Sequence, residues 1–287
     1  MGAADVVPGV SGGTIAFLMG IYQELIDSIK SVNLTAIKLF FSGKFAEFWK
    51  HINGTFLVSL FIGILISVFS LAKLLQYLLA NYPILIWSFF FGLILASAIY
   101  VLKGLDKWSL KNIASLLVGV IIAAFICLAS PTETPNDYWF VFLSGAIAIC
   151  AMILPGISGS FILLLLGKYA YIMEAVSTLN IPVLAVFACG AAVGLVSFSH
   201  FLSWLLKKFY MQTISLLAGF MIGSLLKVWP WKSPSVVEGV DFPTTPGIYE
   251  QITGNSSFIE LSVVCALVGI AIVFLIEILA SKAQKNN

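Results

Sequence analysis

Long apolar runs alternate with short polar breaks along this chain, and their lengths already suggest its architecture. Runs 55–80, 84–102, 110–130, 183–206 and 258–281 are long enough to cross a bilayer as helices; a sixth, 212–228, lies near the lower limit of about 17 residues. Two other apolar regions, 1–29 and 138–178, are interrupted by Pro8-Gly9-Val10-Ser11-Gly12-Gly13 and Pro155-Gly156-Ile157-Ser158-Gly159-Ser160. Proline lacks an amide donor and glycine favours turns, so each motif breaks its helix. Broken backbone survives at membrane depth only where protein or a watery cavity satisfies it. Both regions are therefore predicted to be re-entrant hairpins or broken helices. Segment 31–50, apolar residues set among lysines, reads equally as an interfacial helix on the cytoplasmic surface or as a solvated linker with apolar anchors.

Composition removes the main alternative. Of 287 residues, 60% are hydrophobic and only 10% charged, where a soluble domain carries about 25% charged residues. The pattern excludes a water-soluble globule and predicts an all-α integral membrane protein. A net charge of +2 gives no case for a nucleic-acid partner. Cys127, Cys150, Cys189 and Cys265 stand singly in apolar runs, so they read as small fillers, and neither a structural metal nor a cofactor is expected. Asp5, with no lysine before Lys30, is unlike the basic start of a cleaved signal peptide.

Lysine placement predicts orientation, because cytoplasmic loops are enriched in basic residues. Lys30, Lys38, Lys44 and Lys50, then Lys103, Lys107 and Lys111, then Lys207 and Lys208, then Lys282 and Lys285 mark the cytoplasmic side. Turn 81–83 and loop 130–137 have no lysine, and loop 229–257 sets Lys232 against Glu238, Asp241 and Glu250, so these face outward. The path closes only if neither interrupted region makes a net crossing. The first hairpin then enters from the cytoplasm and the second from outside, and the C-terminus is cytoplasmic.

The chain also resembles itself. A shift of 147 lays Pro8, Gly9, Ser11, Gly12, Gly20 and Tyr22 on Pro155, Gly156, Ser158, Gly159, Gly167 and Tyr169; a shift of 127 lays Gly63, Ser70, Gly92 and Ser97 on Gly190, Ser197, Gly219 and Ser224. This predicts two repeats, residues 1–130 and 131–287. The first holds hairpin 1–29, segment 31–50 and three spans; the second holds hairpin 138–178 and spans 183–206, 212–228 and 258–281. Three crossings is an odd number, so the second repeat is inverted, as in secondary transporters that bind substrate between such repeats. The arm before the first motif is short, and we expect Met1 to lie inside a longer reading frame rather than the hairpin to lack that arm.

Candidate chemistry centres on the two motifs. Ser11 and Ser158 are placed to cap helices, and Gly12, Gly13, Thr14, Gly159 and Ser160 offer amide and hydroxyl donors for an anion. The plain alternative is a glycine-rich turn where helices pack closely. Lys73 and His200 fall opposite each other under the 127 shift, at the outer and inner depths, as candidate anion ligands. Snorkelling to the headgroups is the alternative for Lys73, and an interior hydrogen bond for His200. Asp5, Glu24, Asp27 and Glu174 flank the motifs as candidates for proton or sodium coupling. Lys168, at the foot of the second hairpin, is a candidate to pair with a carboxylate or draw in a phosphate. All fifteen basic residues are lysine, so no guanidinium fork is available for phosphate.

Runs 2–14 and 152–160, with Phe90-Phe91-Gly92-Leu93 and Lys227-Val228-Trp229-Pro230-Trp231, resemble the PopT family of bacterial polyprenyl-phosphate translocases over nearly the whole chain. The resemblance implies a flippase returning undecaprenyl phosphate across the cytoplasmic membrane to recycle the carrier for cell-envelope synthesis, and not an enzyme. Relatives tend to show arginine where His200 stands, so a phosphate held by His200 implies pH dependence. Two other functions compete with the lipid translocase. One is a secondary transporter of a small soluble anion, favoured by a closed cavity. The other is a membrane enzyme acting on a lipid phosphate, disfavoured by the missing arginine and the single intramembrane histidine.

Overall fold

The computed structural model describes every residue except 6–10, 106–107, 133, 234–241 and 286–287. Pro8 and Gly9 of the first motif, with Lys107, Glu238 and Asp241, fall outside the described residues, as does the Asp5 side chain. The chain is an all-α, multi-pass membrane protein. Among the described residues, six helices are long and apolar enough to cross a bilayer: α6 (Gly54–Asn81), α7 (Pro83–Lys103), α8 (Leu110–Leu128), α12 (Ile181–Lys208), α13 (Tyr210–Val228) and α15 (Ile259–Lys285). Their ends fall where local chemistry stops or starts a helix. Pro83 opens α7; the Ser109 hydroxyl caps α8 by accepting the Asn112 amide at 3.3 Å; Asn180 does the same for α12.

The two interrupted regions each resolve into short pieces. The first comprises α1 (Gly2–Asp5), α2 (Gly12–Leu18) and α3 (Tyr22–Lys30); the second comprises α9 (Tyr138–Ile153), α10 (Gly159–Leu165) and α11 (Tyr169–Ser177). Gly20 and Gly167 both take left-handed backbone, φ 70° and 62°, at the corners after α2 and α10. The second corner turns the chain by 110°. Segment 31–50 is two short helices, α4 (Leu34–Phe41) and α5 (Phe45–His51), rather than one. They part at Gly43, whose φ of 71° no continuing helix allows. The Asn33 side chain starts α4 by accepting the Thr35 and Ala36 amides at 2.9 and 3.2 Å. Beyond α13 the chain forms a two-residue pairing of β1 (Lys232–Ser233) with β2 (Phe242–Pro243), then α14 (Pro246–Thr253).

Packing is led by small residues. α7 and α13 lie at the centre, more than half buried, while the other long helices present most of their surface outward. The tightest seams run α13 against α8, α9 against α12, and α7 against α15. A Cβ at Gly92 would run into the Ala266 carbonyl, and one at Gly269 into that of Phe89. The α13–α8 seam repeats this: a Cβ at Gly219 meets the Leu116 carbonyl, and one at Gly119 meets that of Leu216. In lipid, where no hydrophobic effect draws helices together, such close backbone approach supplies the van der Waals contact that holds them. All four cysteines are free thiols.

Candidate functional site

The broken helix after α9 creates a local demand. Helix ends leave carbonyls without partners, and Pro155-Gly156 ends α9 deep in the protein. The first hairpin meets that demand. The Ser11 hydroxyl donates to the Leu154 carbonyl at 3.1 Å and lies 3.3 Å from that of Met152, while its oxygen accepts the Gly13 amide at 3.1 Å. The Tyr22 hydroxyl donates to the Ile153 carbonyl at 3.2 Å. In return the Gly156 amide donates to the Thr14 hydroxyl at 3.1 Å. The two tips are thus hydrogen-bonded to each other across more than 130 residues of sequence. Ser11, Gly12, Gly13, Thr14, Ser158 and Gly159 are all buried there.

The tips differ in one respect that their sequences hid. Ser11 caps α2 through the Gly13 amide, but Ser158 makes no such cap; its hydroxyl pairs with the Ser160 hydroxyl at 2.8 Å. Position 160 corresponds to Gly13 under the 147 shift. A serine there gives Ser158 a side-chain partner, whereas at position 13 a Cβ would come within 2.6 Å of the Ile153 carbonyl. Glycine is required at one tip, while Ser160 at the other is exposed.

The remaining candidates are dispersed. Lys73 is exposed on α6. His200 is half-buried on α12, with Nδ1 2.8 Å from the Val196 carbonyl of its own helix; a carbonyl only accepts, so Nδ1 carries the proton. Asp27 lies in a network joining α3 to α12: Ser203 donates to it at 2.7 Å, Gln23 at 3.0 Å, and the Lys207 ammonium stands 3.5 Å away. Lys30 completes this brace by donating to Ser203 at 3.2 Å. Glu24 is exposed and accepts from Asn53 at 2.9 Å. Glu174 is exposed near the end of α11.

Lys168 is only 1% exposed. Its ammonium donates to the Thr134 carbonyl at 2.7 Å and to the Asn136 side-chain oxygen at 2.5 Å, and it faces the rings of Phe140 and Tyr171. These partners are a carbonyl and an amide, so Lys168 clasps Thr134 and Asn136 onto the corner of the second hairpin.

Sequence reasoning gave no site role to Tyr22, Ser203, Lys103 or Glu277; Lys103 and Glu277 line one cavity of 350 Å³ with Phe17, Tyr100 and Tyr210. Two signals were available. Tyr22 recurs as Tyr169, and His200, Ser203 and Lys207 fall on one face of α12. A second cleft is apolar: 480 Å³ between α3, α6 and α12, lined by Ile29, Val32, Leu57, Phe61 and Leu195 among others.

Residues 1–240 match the family described as VCA0040-like, undecaprenyl phosphate translocase-like. A polyprenyl-phosphate transporter of Vibrio cholerae serotype O1 is 46% identical over 98% of this chain and 94% of its own length. A polyprenyl-phosphate transporter of Staphylococcus aureus is 35% identical over 83% of this chain and 86% of its own. No solved structure matches the chain. Agreement of this extent, across most of the sequence and both motif regions, makes this chain a member of the undecaprenyl phosphate translocase-like family.

Proposed function

We propose that this protein is a flippase that carries undecaprenyl phosphate across the bacterial cytoplasmic membrane, returning the carrier lipid for cell-envelope synthesis. It acts as a transporter and not as an enzyme, as the names of its relatives suggest. The observation that carries the mechanism is the interlock of two broken helices, Ser11 and Thr14 of one against 152–156 of the other. Short helices begin directly behind these tips, so separating them frees hydroxyls and amides at the point where an anion must pass. In the interlocked arrangement the tips satisfy each other and close the path.

Two inverted repeats, 1–130 and 131–287, rock against each other around this point. The reciprocal glycine seams support that division: Gly92 and Gly219, matched in sequence, each approach the third span of the opposite half. The apolar cleft between α3, α6 and α12 favours a lipid over a soluble anion, because a polyprenyl tail can stay in lipid while the head crosses. The Asp27–Ser203–Lys207 brace ties the first hairpin to the second repeat and is where movement of the tips would be gated. Lys73 and His200 serve as outer and inner phosphate ligands in other stages of the cycle. A proton or sodium ion coupled through Asp5, Glu24, Asp27 or Glu174 supplies the driving force.

The test is transport of a fluorescent polyprenyl phosphate in proteoliposomes by Ser11→Trp and Ser158→Trp. Both are expected to lose most transport while a surface variant such as Lys44→Gln keeps it. Full transport by folded Ser11→Trp removes the tips from the mechanism.

A further inference from the structure

Two spaces join where the last turn of α7, the first turn of α13 and the later turns of α15 meet. One is the 350 Å³ cavity that Lys103 and Glu277 line with Phe17, Tyr100 and Tyr210. The other is a narrow groove of 80 Å³ between α7 and α15. Tyr100, Lys103 and Glu277 line both, so they stand where one space passes into the other. The rest of the groove is apolar, with Leu95, Ile99, Ile270 and Phe274 on its walls. The Lys103 ammonium stands 5.9 Å from the centre of the Phe274 ring.

The two charges share this space without meeting. Among the described residues, no ion pair joins Lys103 to Glu277, and neither charged group has a salt-bridge or hydrogen-bond partner elsewhere. Glu277 is half-buried and Lys103 exposed. A carboxylate half-buried in a span is costly without a cation near it, so a partner is expected. A ligand that answers both groups must carry both signs. A phosphate diester bearing a primary ammonium does so: the phosphate suits the lysine, the ammonium suits the carboxylate, and the phenol rings add attraction for the ammonium. A phosphate monoester carries more than one negative charge and would set it beside that of Glu277. The groove then offers the first carbons of the lipid chains an apolar path leading directly from the head. Tyrosines near helix ends favour the boundary between lipid and water, where such heads lie.

We infer that Lys103 and Glu277, with Tyr100 and Tyr210, bind the zwitterionic head of a phospholipid that carries a primary ammonium. Lysine placement assigns this end to the cytoplasmic leaflet. The ligand is a lipid of the bilayer and not the transported one, so the site does not rest on the transport reading.

The test is native mass spectrometry of the full chain in detergent, titrated with phosphatidylethanolamine or phosphatidylglycerol of matched acyl chains. The wild-type protein is expected to retain phosphatidylethanolamine about fivefold better, as for one partly exposed charge pair. Glu277→Gln is expected to erase that preference by weakening phosphatidylethanolamine alone. Lys103→Gln is expected to weaken both lipids alike, because both carry the phosphate. Equal retention of the two lipids by wild-type protein overturns the inference, as does an unchanged preference in folded Glu277→Gln. If that variant does not fold, N-acetylated phosphatidylethanolamine, which has lost the ammonium charge, must bind wild-type protein about as weakly as phosphatidylglycerol; undiminished binding overturns the inference equally. Displacement of phosphatidylethanolamine by a short polyprenyl phosphate, but not by the polyprenol, would give the cavity to the transported lipid and overturn it too.

Discussion

At the scale of single residues, the first tip is constrained by what it must avoid as much as by what it bonds. Gly13 stands where any Cβ comes within 2.6 Å of the Ile153 carbonyl. Gly13→Ala is expected to destabilise the protein by about 1–3 kcal/mol through overpacking. The matched change in the other tip, Ser160→Gly, touches an exposed side chain and is expected to cost far less. Thermal unfolding in detergent compares them, and equal losses would contradict the tip geometry. Tyr22→Phe removes a donor from a buried helix-end carbonyl, a loss of about 1–3 kcal/mol. A different residue reports pH outside the six long helices. Glu250 of α14 accepts the Ser257 hydroxyl at 2.5 Å and its amide at 2.9 Å, which together hold the carboxyl below its ordinary value of 4.5. Its charged form is favoured by the fold, so this tie contributes above pH 4.5 and is lost as pH falls through the lower folded-state value. Titration of the Glu250 carboxyl by NMR is expected to move up toward the ordinary value in Ser257→Ala; no movement would show that the hydroxyl is not the cause.

Between elements, stability depends on how closely backbones approach. Gly92 and Gly219 each face a carbonyl of a neighbouring helix, while Gly63 of α6 has nothing within 4 Å of where a Cβ would stand. Gly92→Val and Gly219→Val are expected to lower folded yield and unfolding temperature strongly and to similar extents, with Gly63→Val near neutral. A large difference between the first two would break the equivalence of the α7–α15 and α13–α8 seams. The α3–α12 brace behaves differently. Lys207 is well exposed, so its ion pair with Asp27 contributes only about 0–1 kcal/mol. Ser203, fully buried between Asp27 and Lys30, carries more. Ser203→Ala is therefore expected to loosen α3 more than Lys207→Gln, read by hydrogen exchange along 22–30. These elements were largely legible beforehand. Runs of apolar residues predict the long helices to within a few residues because lipid demands length and tolerates few charges. The helix break at Pro155-Gly156 was legible because proline and glycine act locally. The split of 31–50 at Gly43 was less visible, since a lone glycine in an amphipathic stretch does not oblige a turn.

Across the whole molecule, the family and the multi-pass architecture follow from patterns that any stretch of the chain displays, but the site does not. That Ser11 donates to Leu154, and Lys168 to Thr134, depends on contacts between distant segments that no local pattern encodes. Sequence reasoning offered the first tip either as donors for an anion or as a glycine-rich turn at a close helix contact; in the folded protein the Ser11 hydroxyl donates to the carbonyls that end α9. That exchange is the central claim. In the proposed mechanism the interlock closes the path, and transport requires the tips to part. It is tested most directly by tying them together, with Ser11→Cys and Leu154→Cys placed in a chain whose four native cysteines are replaced by alanine. After oxidation, cross-linked protein in liposomes should move no polyprenyl phosphate, and reduction should restore movement. Undiminished transport by fully cross-linked protein would contradict the account.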